Sequence, residues 1–77
     1  MLPSNLKLDS IFESYLRTLH KQKTKLPSLY VYGFLHALDL LDLSSSRIQK
    51  FRLALNKDSL STTTELLSAW YKLTSIQ

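Results

Sequence analysis

Residues 27–43, PSLYVYGFLHALDLLDL, form the most apolar run of the chain and contain its only glycine, Gly33. Pro27 suits the first turn of a helix, where a missing backbone N–H costs nothing. With a rotation of about 100° per residue, the polar side chains of this helix fall on one narrow strip. Apolar side chains cover the rest of its surface. An apolar arc that wide requires neighbours on two sides. The sequence therefore predicts a central helix over about residues 28–42 that the other segments enclose.

The segment before this run predicts a first helix. It begins near Ser4, or at Asp9 or Ser10, since Ser10 and Glu13 match the capping-box pattern. It ends by residue 25, because the residue before a proline is disfavoured in helical geometry. Its apolar face recurs at helical spacing and consists of Leu8, Ile11, Phe12, Tyr15, Leu16 and Leu19.

Two further helices follow the apolar run. A serine-rich turn at residues 44–46 can cap a helix over about residues 47–56. The last helix begins at Ser61 or Thr62, and Thr62 with Glu65 repeats the capping-box pattern. The expected apolar stripes are Ile48, Phe51 and Leu55, then Leu66, Ala69, Trp70, Leu73 and Ile76. Because no strand pattern or repeat appears, we predict an all-α fold. It is one domain, residues 1–77, of about four short helices around the central apolar one.

Gly33 and Ala37 lie one helical turn apart and predict a site of close helix packing. Glycine in mid-helix costs about 1 kcal/mol relative to alanine, so its presence favours a structural reason. Two small residues at this spacing form a flat groove where another helix backbone can approach. We expect the groove to be filled either within the monomer or between two copies.

The chain is short for a stable core. At 77 residues it has room for one core, with a stability margin of roughly 3–5 kcal/mol. It has no cysteine, which excludes disulfides and thiolate metal sites, and its two histidines are too far apart for a typical zinc site. The remaining sources of support are a partner or a second copy, and we expect a homodimer.

The charge of the chain is uneven. The net charge is +4, and two blocks free of acidic residues carry it: Arg17, Lys21, Lys23 and Lys25, then Arg47, Lys50, Arg52 and Lys57. Such blocks can attract nucleic acid or an acidic protein face, or simply be solvated. The longest uncharged run is too short to cross a bilayer, and no signal peptide is visible. We therefore expect a cytoplasmic protein with no membrane contact.

An enzyme is not expected. The nearest approach to a catalytic set is His36 with Asp39 one turn later and Tyr32 one turn earlier. A carboxylate can orient a histidine as a general base. No cysteine nucleophile, nucleophile elbow or glycine-rich phosphate loop accompanies it. We interpret the strip as structural and predict no catalytic residue, no metal and no cofactor.

A helix-turn-helix DNA-binding regulator is the alternative function. The two helices around the serine turn resemble such a unit in spacing, with the second helix entering the major groove. The DNA-contacting residues would then be Ser45, Arg47, Gln49 and Lys50. Against this, the turn position usually held by glycine is Asp42, whose charge repels phosphate.

Binding to another protein is the leading hypothesis. The chain has more aromatic residues than its core can absorb, and tyrosine and arginine dominate protein-binding hot spots. We expect a small non-catalytic regulatory protein of the kind that phages, plasmids or bacterial operons encode. Its partner would be a larger regulator, such as a transcription regulator with an acidic-rimmed groove. The candidate contact residues are Tyr30, Tyr32, Lys50, Arg52, Leu53, Lys57 and Tyr71.

Overall fold

The computed structural model of the chain describes residues 5–73. Within that range it contains no strand, and four helices follow one another: α1 (Asn5–Lys21), α2 (Pro27–Leu40), α3 (Ser46–Asp58) and α4 (Thr63–Lys72). The predicted all-α fold of about four short helices is confirmed.

The two capping-box predictions have opposite outcomes. The box of α4 is present: the Thr62 side chain accepts from the Glu65 backbone, and the Glu65 side chain accepts from the Thr62 backbone. The box expected at Ser10 is wrong, because α1 has already begun at Asn5 and Ser10 lies inside it. Glu13 instead accepts a hydrogen bond from the indole of Trp70 at 3.1 Å, which ties α1 to α4.

Helices α1 and α2 end in the same backbone motif. At the end of α2, the N–H of Leu43 bonds to the carbonyl of Leu38, and that of Asp42 to the carbonyl of Asp39. This is a Schellman motif, and Asp42 takes the left-handed position with φ 57°. Lys23 takes the equivalent position after α1 with φ 53°. Glycine suits these positions best, yet the one glycine of the chain lies inside α2.

An aromatic cluster holds the four helices together. The Phe12 ring of α1 lies 5.3 Å from the Phe34 ring of α2, 5.3 Å from Phe51 of α3 and 5.0 Å from Trp70 of α4. All three contacts are edge-to-face, the arrangement that aromatic quadrupoles favour. Phe12 is fully buried and meets one ring from each of the other helices.

Aliphatic side chains complete the core. The predicted stripe of α3 is confirmed in full, because Ile48, Phe51 and Leu55 are all buried. In α4, Leu66 and Trp70 are buried, Ala69 and Leu73 are partly buried, and Ile76 lies outside the described residues. The other buried apolar residues are Leu16, Leu19, Val31, Leu35 and Leu38.

The expected burial of α2 is wrong. The helix forms where the sequence predicts it, but only Pro27, Val31, Leu35 and Leu38 are buried, which is one stripe. Several of its leucines remain in water, including Leu40 at 74% exposure. The other helices cover α2 on its inner side only, so α2 lies at the edge of the core and Phe12 of α1 lies at its centre.

We predict that Phe12→Ala largely unfolds the chain. Truncating a buried phenylalanine costs about 3–5 kcal/mol, which matches the whole margin expected of so small a domain. The measurement is thermal denaturation followed by circular dichroism. The matched control is Ile11→Ala, because Ile11 is the adjacent residue and is 49% exposed. A Phe12→Ala variant that melts like the Ile11→Ala variant would contradict the assigned role of this ring.

We also predict a pH dependence that Glu65 causes. Hydrogen bonds from the backbone N–H groups of Ser61 and Thr62 lower the pKa of the Glu65 carboxyl below its usual 4.5. Its contribution to stability is therefore complete above pH 4.5 and is lost as the pH falls through the folded-state pKa. Acid unfolding of Glu65→Gln should show a flatter pH dependence in this range than the parent. If the stability of Glu65→Gln and that of the parent fell equally steeply with pH, the pH dependence would not come from Glu65.

Candidate functional site

One side of α2 exposes a row of large apolar side chains. Leu26, the residue before the helix, is 68% exposed, Leu29 is 63% exposed and Leu40 is 74% exposed. With Gly33 and Ala37 between Leu29 and Leu40, these positions follow a three- to four-residue spacing opposite the buried stripe, so they share one helix surface. We call this surface the outer α2 face. It consists of Leu26, Leu29, Tyr30, Gly33, Ala37, Leu40 and Leu41, all exposed.

Gly33 and Ala37 form the floor of the outer α2 face. Apart from the backbone of α2 itself, a Cβ atom added at Gly33 would have no atom of the described residues within 4 Å, so none of these residues packs on this glycine. Ala37 is exposed as well. Within residues 5–73, no side chain fills the groove predicted at these two residues. The expectation that it is filled between two copies stays a prediction.

Polar contacts fix α2 against its neighbours on both sides of this face. Towards α1, the Tyr15 hydroxyl donates to the Tyr30 carbonyl at 3.2 Å, and the pKa of Tyr15 is raised by burial and by the nearby Tyr30. Towards α3, Arg52 donates two hydrogen bonds to the carboxylate of Asp39, at 3.0 and 3.3 Å. The outer α2 face is thus held in a fixed position relative to the core.

The charges at the two ends of α2 oppose its helix dipole. The N-terminal end is preceded by Lys23 and Lys25, and the first turn contains no acid. The C-terminal end carries Asp39 and is followed by Asp42, and the last turn contains no base. A helix dipole favours negative charge at its N-terminus and positive charge at its C-terminus. The charges of α2 are arranged the opposite way at both ends.

The predicted protein-binding residues do not form one surface. Tyr30 belongs to the outer α2 face, and Tyr32 is 45% exposed on the side of α2 that meets α3, where its hydroxyl donates to Asn56. Tyr71 lies where α4 meets α1, and its hydroxyl donates to Glu13 at 3.3 Å. The remaining candidates, Lys50, Arg52, Leu53 and Lys57, are on α3.

The α3 candidates differ in how far they are available. Leu53 is 68% exposed, and Lys50 and Lys57 are exposed one turn before and after it. Arg52 forms an ion pair with Asp39. Three of the four are therefore free to meet a partner, and Arg52 links α3 to α2.

Two of the four predicted DNA-contacting residues have structural roles. Ser45 is buried, caps α3 by accepting from the Ile48 N–H, and donates to Asp9 of α1 at 2.6 Å. The Arg47 guanidinium stacks 3.9 Å from the Trp70 ring centre and donates to the Trp70 carbonyl. Gln49 and Lys50 are exposed. The structure thus leaves two residues of the predicted DNA-reading set accessible.

The polar strip of α2 is not assembled as a catalytic set. Asp39 is paired with Arg52 and not with His36, and the Tyr32 hydroxyl faces Asn56. His36 is exposed. Among residues 5–73, no three histidine, aspartate or glutamate side chains gather as metal ligands would.

No motif in the sequence marks the leucines of the outer α2 face as functional candidates. Leu29, Leu40 and Leu41 belong to the apolar arc that the sequence predicts to be covered, because hydropathy alone does not distinguish a leucine that the chain covers from one that stays exposed. The available signal was the width of the apolar arc of α2 in so short a chain.

Comparison of this chain with protein-family models, with curated proteins and with solved structures gave no significant match. In the part of the chain that the structure describes, no helix has the length and hydropathy needed to span a bilayer.

We predict that Gly33→Ala stabilises the monomer by about 1 kcal/mol, because alanine is the better helix former and the added methyl group meets open space. The matched control is Ala37→Gly, one turn later on the same face, which should destabilise it by about the same amount. Chemical denaturation at a concentration where sedimentation shows monomer measures both. A loss of stability in Gly33→Ala would mean that this glycine packs within the chain.

Proposed function

We propose that this chain is a non-catalytic regulatory protein that acts by binding another protein, and that the outer α2 face is its binding surface. The observation that carries the proposal is the exposure of the outer α2 face, which has leucines at both ends and Gly33 and Ala37 between them, on a helix whose opposite stripe is buried in the core. Contiguous apolar surface of this kind is typical of interaction sites and uncommon on surfaces that only meet water.

The shape of the face suits helix recognition. An amphipathic helix that binds a groove does so through side chains at i, i+3, i+4 and i+7, and the exposed residues of α2 follow this spacing. The floor of Gly33 and Ala37 lets a partner approach the α2 backbone closely. Leu26, Leu29 and Leu40 would supply apolar contact area around that floor.

The charges around the face favour a partner with an acidic rim. Lys23 and Lys25 are exposed at the N-terminal end of α2, and Lys50 and Lys57 are exposed on α3. None of these four lysines forms an ion pair with another residue of the described range. Rim lysines of this kind speed encounter with an acidic surface more than they add affinity. A larger regulator, such as a transcription regulator with an acidic-rimmed apolar groove, fits this description.

DNA binding is supported less well. Ser45 and Arg47 would have to leave a helix cap and a stacked, partly buried site to reach DNA. The left-handed Asp42 does occupy the backbone conformation that a glycine of a helix-turn-helix adopts. Its negative charge remains unfavourable next to phosphate.

The test is affinity capture from the source cells, followed by mass spectrometry. Three baits are compared: the parent, the double variant Leu29→Arg with Leu40→Arg, and the control Ile11→Arg on α1. All three should fold, since each changed side chain is about half exposed or more. We expect the same partner with the parent and the control, and at least a tenfold loss with the double variant, because a charge in the apolar contact is desolvated.

Two outcomes would contradict the proposal. The first is equal recovery of every captured protein by the double variant and the parent. The second is tight binding of a random DNA duplex at low salt that weakens by several powers of ten as salt rises. The second outcome would favour the helix-turn-helix alternative.

A further inference from the structure

We infer that the outer α2 face binds a second copy of this chain, with the two α2 helices antiparallel and their two-fold axis passing near Gly33. The inference rests on the proposed function in one respect: the outer α2 face is a binding surface. It goes further by naming the occupant of the face in the free protein, a second copy in a stated orientation. The partner of the proposed function binds the same face and therefore has to displace that copy.

The position of Gly33 favours a two-fold arrangement. Gly33 lies at the middle of α2, which runs from residue 27 to residue 40. If Gly33 of one copy crosses Gly33 of the other, residues equally far from it along the helix come together. Leu26 then faces Leu40 of the second copy, and Leu29 faces its Ala37. A large side chain thus meets a small one near the axis, and leucine meets leucine at both ends.

The end charges of α2 select the antiparallel orientation. An antiparallel partner brings its Asp42 to the N-terminal end of α2, near Lys23 and Lys25, and the reverse occurs at the other end. Both ends then receive from the partner the sign of charge that the helix dipole favours and that the terminal turns of α2 do not themselves supply. A parallel partner would place lysines beside lysines and aspartates beside aspartates, which is unfavourable.

The described part of the monomer gives no packing reason for a glycine at position 33. It lies mid-helix, where alanine would be more stable, and no described residue outside the α2 backbone would contact a Cβ there. In the antiparallel pair, the missing side chain lets the two backbones approach at the crossing point. A close contact between the two α2 helices then explains why this position is a glycine, as the sequence predicts.

The available surface is of the size that a dimer needs. A standard interface takes about 800 Å² from each partner. On or beside the outer α2 face lie seven exposed large apolar residues, each 45–74% exposed, and together they offer an area of that order. They are Leu26, Leu29, Tyr30, Tyr32, Leu40, Leu41 and Leu43.

Single cysteines test the arrangement, because the chain contains none of its own. The variants are Leu26→Cys, Leu40→Cys and, as a control on the outer side of α1, Ser14→Cys. In the antiparallel pair, the two copies of residue 26 are separated by about 21 Å along the helix axis, since each residue rises about 1.5 Å. Residue 26 of one copy lies beside residue 40 of the other.

We expect disulfide-linked dimers under mild oxidation when Leu26→Cys and Leu40→Cys are mixed, but not from either variant alone or from Ser14→Cys. Efficient linking of Leu26→Cys to itself would show a parallel pair and overturn the inference. Sedimentation of the parent as a strict monomer at high micromolar concentration would overturn it as well. Neither result affects the capture experiment. Loss of a captured partner by the variant with Leu29→Arg and Leu40→Arg would still support the proposed function.

Charge reversal gives a second, independent measurement. Lys25→Glu and Asp42→Lys should each weaken the dimer roughly 2- to 5-fold, a modest effect expected of exposed charges near helix ends. The two changes together restore opposite charges at each end and should recover most of the affinity. If the combined variant dimerised more weakly than either single variant, the antiparallel arrangement would be overturned.

Discussion

The contact of the Phe12 ring with three other aromatic rings is the constraint on which this structure depends. Phe12 meets Phe34, Phe51 and Trp70, so each of the other helices contributes one aromatic ring to the cluster around Phe12. Around this cluster, the Trp70 indole is also held by polar groups. Its N–H donates to Glu13, and its ring stacks on Arg47. The cluster forms only when all four helices are in place, because each helix contributes one of its rings.

This arrangement explains why so apolar a helix remains partly exposed. Once Phe34, Val31, Leu35 and Leu38 have packed inwards, α2 has contributed all that a core centred on Phe12 can hold. The segments α1 and α3 lie on either side of α2, joined to it by hydrogen bonds of Tyr15 and Arg52. No fifth segment in the described range is left to cover the outer α2 face. Its exposure follows from the topology.

The features that the sequence predicted correctly are local ones. The stripe of Ile48, Phe51 and Leu55 follows from periodicity within one helix, and the Thr62–Glu65 box depends on residues three positions apart. The same box pattern at Ser10 was misleading, because a capping box has meaning only where a helix begins, and α1 begins earlier.

The features that the sequence did not predict depend on contacts between distant segments. Ser45 reaches Asp9 across 36 residues, and Arg47 stacks on Trp70 across 23. No spacing rule would have removed these two residues from a DNA-reading set. Tyr30, Tyr32 and Leu53 are exposed, as their choice as contact candidates requires, but Leu29, Leu40 and Leu41 of the apolar arc are exposed as well, against the prediction that the arc is covered. Periodicity identifies an apolar face, and the number of available neighbours determines whether it is covered.

The division of α2 into an anchored side and an open side has a consequence for protein engineering. Val31, Leu35 and Leu38 hold the helix in place, while exposed positions such as Leu29 and Leu40 contribute little to the core. The left-handed Ser59, which follows α3 with φ 52°, is a separate place where glycine would relax the backbone. The chain can therefore serve as a small, cysteine-free scaffold. The open side of α2 can be randomised in a library, while substitutions elsewhere raise the thermal stability.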